Sequence, residues 1–394
     1  MGELTCLVIG GGYAGIHAVQ AIRKSFKSEE DKRTVRLILM DKNPYHLRKV
    51  LLFRPAVGDE DITVPLTDLF PEGVELIQGA VTYIESTEKN LRYEDAAGAE
   101  HRMNYDILVV ALGSVLRQPE PWQGGMALAS IDHARKIREA WRANLKKAVG
   151  ETNVHERKKL MSIAVAGAGI SGIETSAELA HYVREDAEAL GLDPGEAKIT
   201  LFNANPRLFP EGPAKVGVRL EDSLHSNGVT LSHGSKVVQE ELGTLTLSSG
   251  ETISVGMCIW TLGLLPHPLL QSIGLPVDSE GYVVIDASYR VQGTQGIYSI
   301  GDCARVVDPV SGRVDGKTCK EAIAQAARLG KVILADITGR SAPTHKGFMD
   351  FFCFGLGPGI GMAWTHKWGV DIIFTGRLGS KLRKFTWDSA SLIK

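Results

Sequence analysis

Apolar runs and amphipathic stretches alternate along the chain in an order that repeats. Leu4–Ile9 is a continuous apolar run and predicts a buried strand. Residues 10–15 predict a turn, and 16–26 carry apolar positions at helical spacing. A polar loop, 27–33, leads to a second apolar run at 35–40, completing a βαβ unit. Residues 74–83 and 90–94 read as short strands, and 105–111 as a buried one. A charged helical pattern at 131–149 runs into a polar stretch, 150–159. The opening order then returns, with a strand at 161–166, a turn at 167–172, a helix at 173–183 and a strand at 198–202. One chain thus holds two copies of one supersecondary unit. Further on, 243–254 suggests a hairpin, 256–261 a strand, 297–300 a short buried strand, and Cys319–Thr338 a helix that stops near Gly339. From Phe348 onward the tail turns rich in Gly and aromatics, then in Lys and Arg.

A length of 394 residues fits two domains and an appendage, since domains commonly run to ~100–200 residues. With 44% hydrophobic and 23% charged residues, the chain can bury a sizeable core. A formal charge of −2 argues against a nucleic-acid partner. The five cysteines are widely spaced and form no C-x-x-C pair. A disulfide framework, a metal site and a redox-active dithiol are therefore not expected, and reduced thiols in a cytoplasmic protein are. Leu4–Ile9 runs straight into glycines and reads as a strand, not a signal sequence. The Met1-Gly2 start has Cys6 where a myristoylation signal needs Ser or Thr, so lipidation is not expected. No run of ~18 apolar residues is long enough to cross a bilayer.

Gly10-Gly11-Gly12-Tyr13-Ala14-Gly15 fits G-x-G-x-x-G between a strand and a helix. Gly10 permits the turn, Gly12 lets the backbone approach a pyrophosphate, and Gly15 lets helix and strand pack closely. The N–H groups after Tyr13 and Ala14 then face the anion. Asp41 ends the second strand, where a carboxylate can accept both ribose hydroxyls, and Lys42 follows it. Gly167-Ala168-Gly169-Ile170-Ser171-Gly172 is the second copy. Its strand ends in Asn203, which removes the repulsion an acid would offer a 2′-phosphate, and Arg207 lies close by. NADH and NADPH both stay open. Gly301-Asp302 follows a strand and suits either a ribityl contact or a helix N-cap.

Together these pieces resemble the flavoproteins with two dinucleotide-binding domains, the pyridine nucleotide-disulfide oxidoreductase superfamily. Ala111-Leu112-Gly113-Ser114 is similar to that family's A-T-G-S strand end, and Ile297 to Ala304 to its second FAD motif. Asp41 to His46, Gly172 to Leu179, and Ile259-Trp260-Thr261-Leu262-Gly263 resemble the type II NADH dehydrogenases and the apoptosis-inducing-factor-like quinone reductases. The resemblance implies an α/β fold of two three-layer Rossmann-like domains, the nicotinamide domain inserted into the FAD domain. The expected divisions are FAD domain 1–118 and 285–340, nicotinamide domain 119–284, and a C-terminal region 341–394. It implies FAD held by Gly10, Gly12, Tyr13, Ala14, Gly15, Asp41, Lys42, Ala111, Gly113, Gly301, Asp302 and Gln325. NAD(P)H would be held by Gly167, Gly169, Ile170, Ser171, Gly172, Asn203, Arg207 and Gly263. Glu174 would lie near nicotinamide and flavin, against the plainer reading of a solvated first-turn glutamate. His46 would sit near the isoalloxazine, against that of a satisfied loop histidine.

The implied reaction passes hydride from NAD(P)H to flavin and electrons onward, with the cofactor carrying the chemistry. By resemblance the acceptor is a quinone. A small electron-transfer protein, dioxygen or a specialised metabolite stay open, as does a slow redox-sensing module. The chain departs from the type II dehydrogenase quinone motif, A-Q-x-A-x-Q. Gln325 matches it, but Leu329 stands where the second Gln belongs. In the tail, Trp364, Trp368, Phe374 and Trp387 alternate with Lys367, Arg377, Lys381, Arg383 and Lys384. Such a stretch suits either peripheral contact with an anionic membrane surface or packing within the protein or a homodimer.

Overall fold

The computed structural model describes residues 3–27 and 34–393; Gly2 and residues 28–33 of the expected loop lie outside the described residues. The fold is α/β, with two largely parallel sheets that each open on a glycine turn. The larger has seven strands in the order Ile297–Ser299, Ile107–Val110, Leu4–Ile9, Val35–Asp41, Glu75–Glu85, Asn90–Asp95 and Glu100–Asn104. The first five are parallel and the last two continue antiparallel. Leu7, Val8, Ile9, Ile38, Leu39, Leu108 and Val109 are fully buried, as unbroken apolar runs in a sheet covered on both faces should be. One cover is the helix Tyr13–Lys27, packed on the helix Cys319–Thr338. Their close approach depends on Gly330, where a Cβ would lie 2.7 Å from the Ala21 carbonyl oxygen.

The second sheet is parallel throughout, in the order Met126–Ala127, Met257–Trp260, Ser162–Ala166, Lys198–Asn203 and Val229–His233. Its glycine turn feeds the helix Ile170–Ala189, as the first feeds Tyr13–Lys27. Between the sheets the chain passes through Ser114–Leu116 and returns through Leu264–Pro266, which pair antiparallel.

Three stretches differ from the sequence pattern. The polar segment 150–159 contains most of a helix, Val154–Leu160, because the Asn153 side-chain oxygen accepts from the backbone N–H groups of His155 and Glu156. The hairpin at 243–254 gains a third strand, Val237–Glu241. The tail forms elements that its sequence pattern does not predict. Phe351–Gly355, Gly361–Lys367 and Val370–Thr375 form an antiparallel sheet, followed by the helix Gly376–Ala390. Trp364 and Trp387 are buried with Phe354 in the core of the second sheet, and Phe209 meets Phe352, Phe354 and Trp364 edge-on. Phe374 is half-buried, whereas Trp368 at the hairpin tip is 85% exposed. Among the described residues no helix is long and apolar enough to cross a membrane.

Candidate functional site

The two glycine turns have one geometry. Gly10 has φ +106° and Gly167 φ +116°, so both lie in the region that side chains avoid. A Cβ on Gly10 would lie 2.3 Å from the Ala111 carbonyl oxygen, and one on Gly167 2.4 Å from that of Thr261. At Gly15 and Gly172 a Cβ would lie 1.8 Å from the carbonyl oxygen of Gly10 and of Gly167. Gly12 and Gly169, by contrast, face open space, as do Gly113 and Gly263 at the neighbouring strand ends. Each turn is therefore closed on the protein side and open where a pyrophosphate approaches a helix N-terminus, begun by Tyr13 and Ala14 in one copy and by Ile170 and Ser171 in the other.

Around the first turn, Asp41 accepts from Gly11 N at 2.6 Å and from Asn43 N at 2.8 Å, which fixes its carboxylate beside the loop. Lys42 is exposed. His46 is fully buried, its ring edge-on to Tyr13 at 4.8 Å. The Gly11 carbonyl oxygen can only accept, so His46 Nδ1 donates to it at 2.9 Å and Nε2 is the bare acceptor. Nε2 is buried with no partner. Burial pulls the imidazole down to about 4, against the Gly11 hydrogen bond, so the ring is neutral near pH 7. Of the two expectations, the satisfied loop histidine fits Nδ1 only.

The second part of this site closes from the other end of the chain. Asp302 is no helix N-cap. It sits in a single turn, Gly301–Cys303, and accepts from the Ser114 hydroxyl at 2.7 Å. Lys49 donates to the Ser114 carbonyl oxygen at 2.7 Å, and burial lowers its ammonium while Asp302 opposes that. Gln325 accepts from Gly301 N and donates to Asp315, each at 2.7 Å, and so holds the turn in place. Leu329 is fully buried in the first core, away from solvent. A cavity of about 270 Å³ adjoins Gly301, Asp302, Thr318 and Gln325.

At the second turn Arg207 is engaged by its own loop. Its guanidinium donates to the carbonyl oxygens of Phe209 at 2.8 Å, Pro210 at 2.8 Å and Gly212 at 2.7 Å. Those bonds fasten its own loop and engage both terminal nitrogens of its guanidinium. Asn203 is likewise engaged. Its amide donates to the Arg207 carbonyl oxygen at 2.9 Å, and its side-chain oxygen accepts from Asn205 N at 3.1 Å.

Glu174 is not a solvated glutamate either. It is buried, and Arg383 of the C-terminal helix donates to both its oxygens, Nε at 2.7 Å and Nη2 at 2.9 Å, while Gly355 N adds a third bond at 2.7 Å. Arg383 therefore leaves the exposed basic set of the tail, to which Lys367, Arg377, Lys381 and Lys384 belong. The same helix reaches the first unit, where Arg48 pairs with Asp388 at 2.6 Å and His17 Nε2 meets the Ala390 carbonyl oxygen at 3.0 Å. Sequence reading passed over Lys49, Ser114, Asp315 and Arg383 as site residues. Of these only Ser114 stood in a motif.

Comparison with known proteins gives one family, described as pyridine nucleotide-disulphide oxidoreductase, which matches residues 4–326. The chain is 26% identical over 349 residues to a type II NADH:quinone oxidoreductase of Staphylococcus aureus, covering 85% of this chain and 83% of that protein. Its fold is similar to that of NDH2 from Plasmodium falciparum in complex with NADH, with a TM-score of 0.80 at 17% identity over 98% of this chain and 94% of that one. It is also similar to a sulfide:quinone oxidoreductase from Aquifex aeolicus, with a TM-score of 0.75 at 15% identity over 98% and 90%.

Proposed function

Because the chain belongs to the pyridine nucleotide-disulphide oxidoreductase family, we propose that it is an FAD-dependent oxidoreductase that oxidises a nicotinamide dinucleotide and reduces a quinone. The observation that carries this reading is the paired geometry of the glycine turns, open at Gly12 in one and at Gly169 in the other. The residues present fit FAD at the first. Gly12 leaves a cradle that a Cβ would fill, Asp41 is aimed by two backbone N–H groups, and Asp302 is braced by Ser114. Bound FAD supplies the two-electron chemistry, taking up hydride and passing electrons on.

The chain's own residues bind, orient and exclude water. In this reading residues 1–118 and 285–340 hold FAD, 119–284 hold the nicotinamide dinucleotide, and 341–394 close over the junction. Asp41 binds the adenosine ribose and Asp302 the ribityl chain, with Gln325 fixing the turn that presents Asp302. Lys49, partly desolvated beside Ser114 and Asp302, places a cation near the same chain. Gly167, Gly169 and Gly172 seat the second pyrophosphate, and the Glu174 carboxylate, held by Arg383 and Gly355, fastens the C-terminal region to the helix that starts at that turn. NADH is the preferred donor, since Arg207 is committed to its own loop. The S. aureus relative is named for NADH and quinone, in keeping with both assignments. Trp368, with Lys367 over its ring, is exposed at the hairpin tip, and Leu378 and Phe385 are exposed on the helix that carries Lys381 and Lys384; exposed apolar side chains beside lysines suit peripheral contact with an anionic membrane where a quinone partitions.

Steady-state oxidation of NADH and NADPH by purified protein, with a soluble quinone analogue as acceptor, tests this. Turnover with both substrates present and a higher kcat/KM for NADH is expected. Absence of quinone-dependent turnover would remove the acceptor assignment.

A further inference from the structure

One buried titratable side chain is used by neither glycine turn. Glu178 lies one helical turn beyond Glu174 on Ile170–Ala189 and is 1% exposed. Its Oε1 stands 3.5 Å from Arg54 Nη2, and its Oε2 has no hydrogen-bond partner among the described residues. The two carboxyls thus meet opposite surroundings. Glu174 receives three donors. Glu178 has one distant cation and a bare buried oxygen, the pattern that favours the neutral acid. Burial pushes its carboxyl up to about 7, Arg54 opposing and the charges of Glu174 and Glu60 adding to the rise.

The surroundings also offer a way out to solvent. Arg54 Nε is 3.7 Å from the half-exposed Glu60 carboxylate. Trp387, whose ring is 5.7 Å from the Arg54 guanidinium, has a buried and unpartnered Nε1. Unpartnered buried polar atoms of this kind are where ordered water is held. Other groups near the helix are engaged elsewhere. Arg138 pairs with Asp59 and Arg142 with Asp186, whereas Tyr182 on the same helix lies within reach of the Glu178 charge.

Resting on the quinone-reductase reading, we propose that Glu178 is a proton-relay residue, supplying the proton of acceptor reduction that hydride transfer does not bring. Hydride from NADH carries two electrons and one proton, and reduction of a quinone to a quinol consumes two electrons and two protons. The second proton leaves the Glu178 carboxyl. Its O–H bond breaks, the electron pair stays on the carboxylate opposite Arg54, and the proton passes through water held beside Trp387 to the quinol oxygen. A solvent proton entering at Glu60 restores the acid. Glu178 acts through water and does not touch the reacting atoms.

The test is Glu178→Gln in the holoenzyme, with NADH and a soluble quinone analogue. The acid form is the donor, so wild-type kcat should fall as pH rises through about 7. The variant should lose that limb and turn over on the order of 10²-fold more slowly at pH 6, the usual worth of a placed acid. Bleaching of the flavin by NADH alone, which needs no second proton, should keep its rate. A measurement independent of turnover is the thermal midpoint against pH. A carboxyl raised in the folded state gives stability that is present below the ordinary carboxylate range and lost as pH rises to about 7, so the wild-type midpoint should fall over that window and the variant's should not. A variant that keeps the wild-type limb overturns the proposal. Wild-type protein that NADH does not reduce overturns the quinone-reductase reading instead. Should Glu178→Gln lose flavin, Arg54→Met decides. Losing the counter-ion should move the limb to higher pH, and an unmoved limb overturns the proposal.

Discussion

Arg383 makes the single contact on which the geometry at Glu174 most depends. Its guanidinium and the Glu174 carboxylate are both buried and bonded in a fork. Removing one partner of such a pair leaves the other charge stranded, at a cost of about 3–5 kcal/mol. Arg383→Met should lower the unfolding free energy by that amount in urea titration. Adding Glu174→Gln should recover most of the loss, and a double variant as unstable as the single would mean that the pair is not what the substitution breaks. At this scale the sequence was legible where a residue's task is done by its immediate neighbours. Gly10, Gly15 and Asp41 all serve one glycine turn, so a motif captures them. Arg383 meets Glu174 across 209 positions, and nothing beside either residue announces it. Arg207 shows a related limit of sequence. A cation near a binding loop looks free in sequence, while in the fold the loop's own carbonyls take its donors first.

Among the elements, the packing of Tyr13–Lys27 on Cys319–Thr338 ties the start of the chain to residues some three hundred positions later and holds the Asp302 turn over the first glycine loop. A methyl group at Gly330 would press on backbone, which cannot rotate aside. Gly330→Ala should therefore destabilise the protein by ~1–3 kcal/mol, typical of overpacking, although alanine is the better helix former. A melting temperature that rises instead would show that the two helices can separate at no cost. Both helices were readable from apolar spacing. The C-terminal sheet was not. Its strands are short, broken by Gly357, Gly359, Gly369 and Gly376 at positive φ, and their aromatics look like a surface stretch until Phe209 from another element packs against them. The helix Val154–Leu160 was hidden by its charge, because a side-chain cap and not an apolar face starts it.

Across the whole molecule the duplicated unit gives two sites of like geometry and different partners. Gly12 and Gly169 are the positions at which this difference can be probed without harm to the fold, since neither faces any atom within 4 Å. Gly12→Ala should fold normally but purify with less flavin. Gly169→Ala should keep its flavin and raise the KM for NADH about tenfold, equivalent to ~1.4 kcal/mol. Loss of flavin from Gly169→Ala would mean that the sites are not assigned as described. The architecture was legible because the repeat is strong and each copy is local. The coupling between copies was not, because it runs through a tail helix that touches His17 and Arg48 in one unit and Glu174 in the other.

On the proposed function, electrons enter from a nicotinamide dinucleotide at the second turn and reach a flavin at the first. An anaerobic titration of the purified protein with NADH, followed in the visible flavin absorption band, tests it most directly. The band should be present, bleach with one equivalent of NADH per flavin, and return when a quinone analogue is added. A protein without that band, or with one that NADH leaves unchanged, would contradict the account.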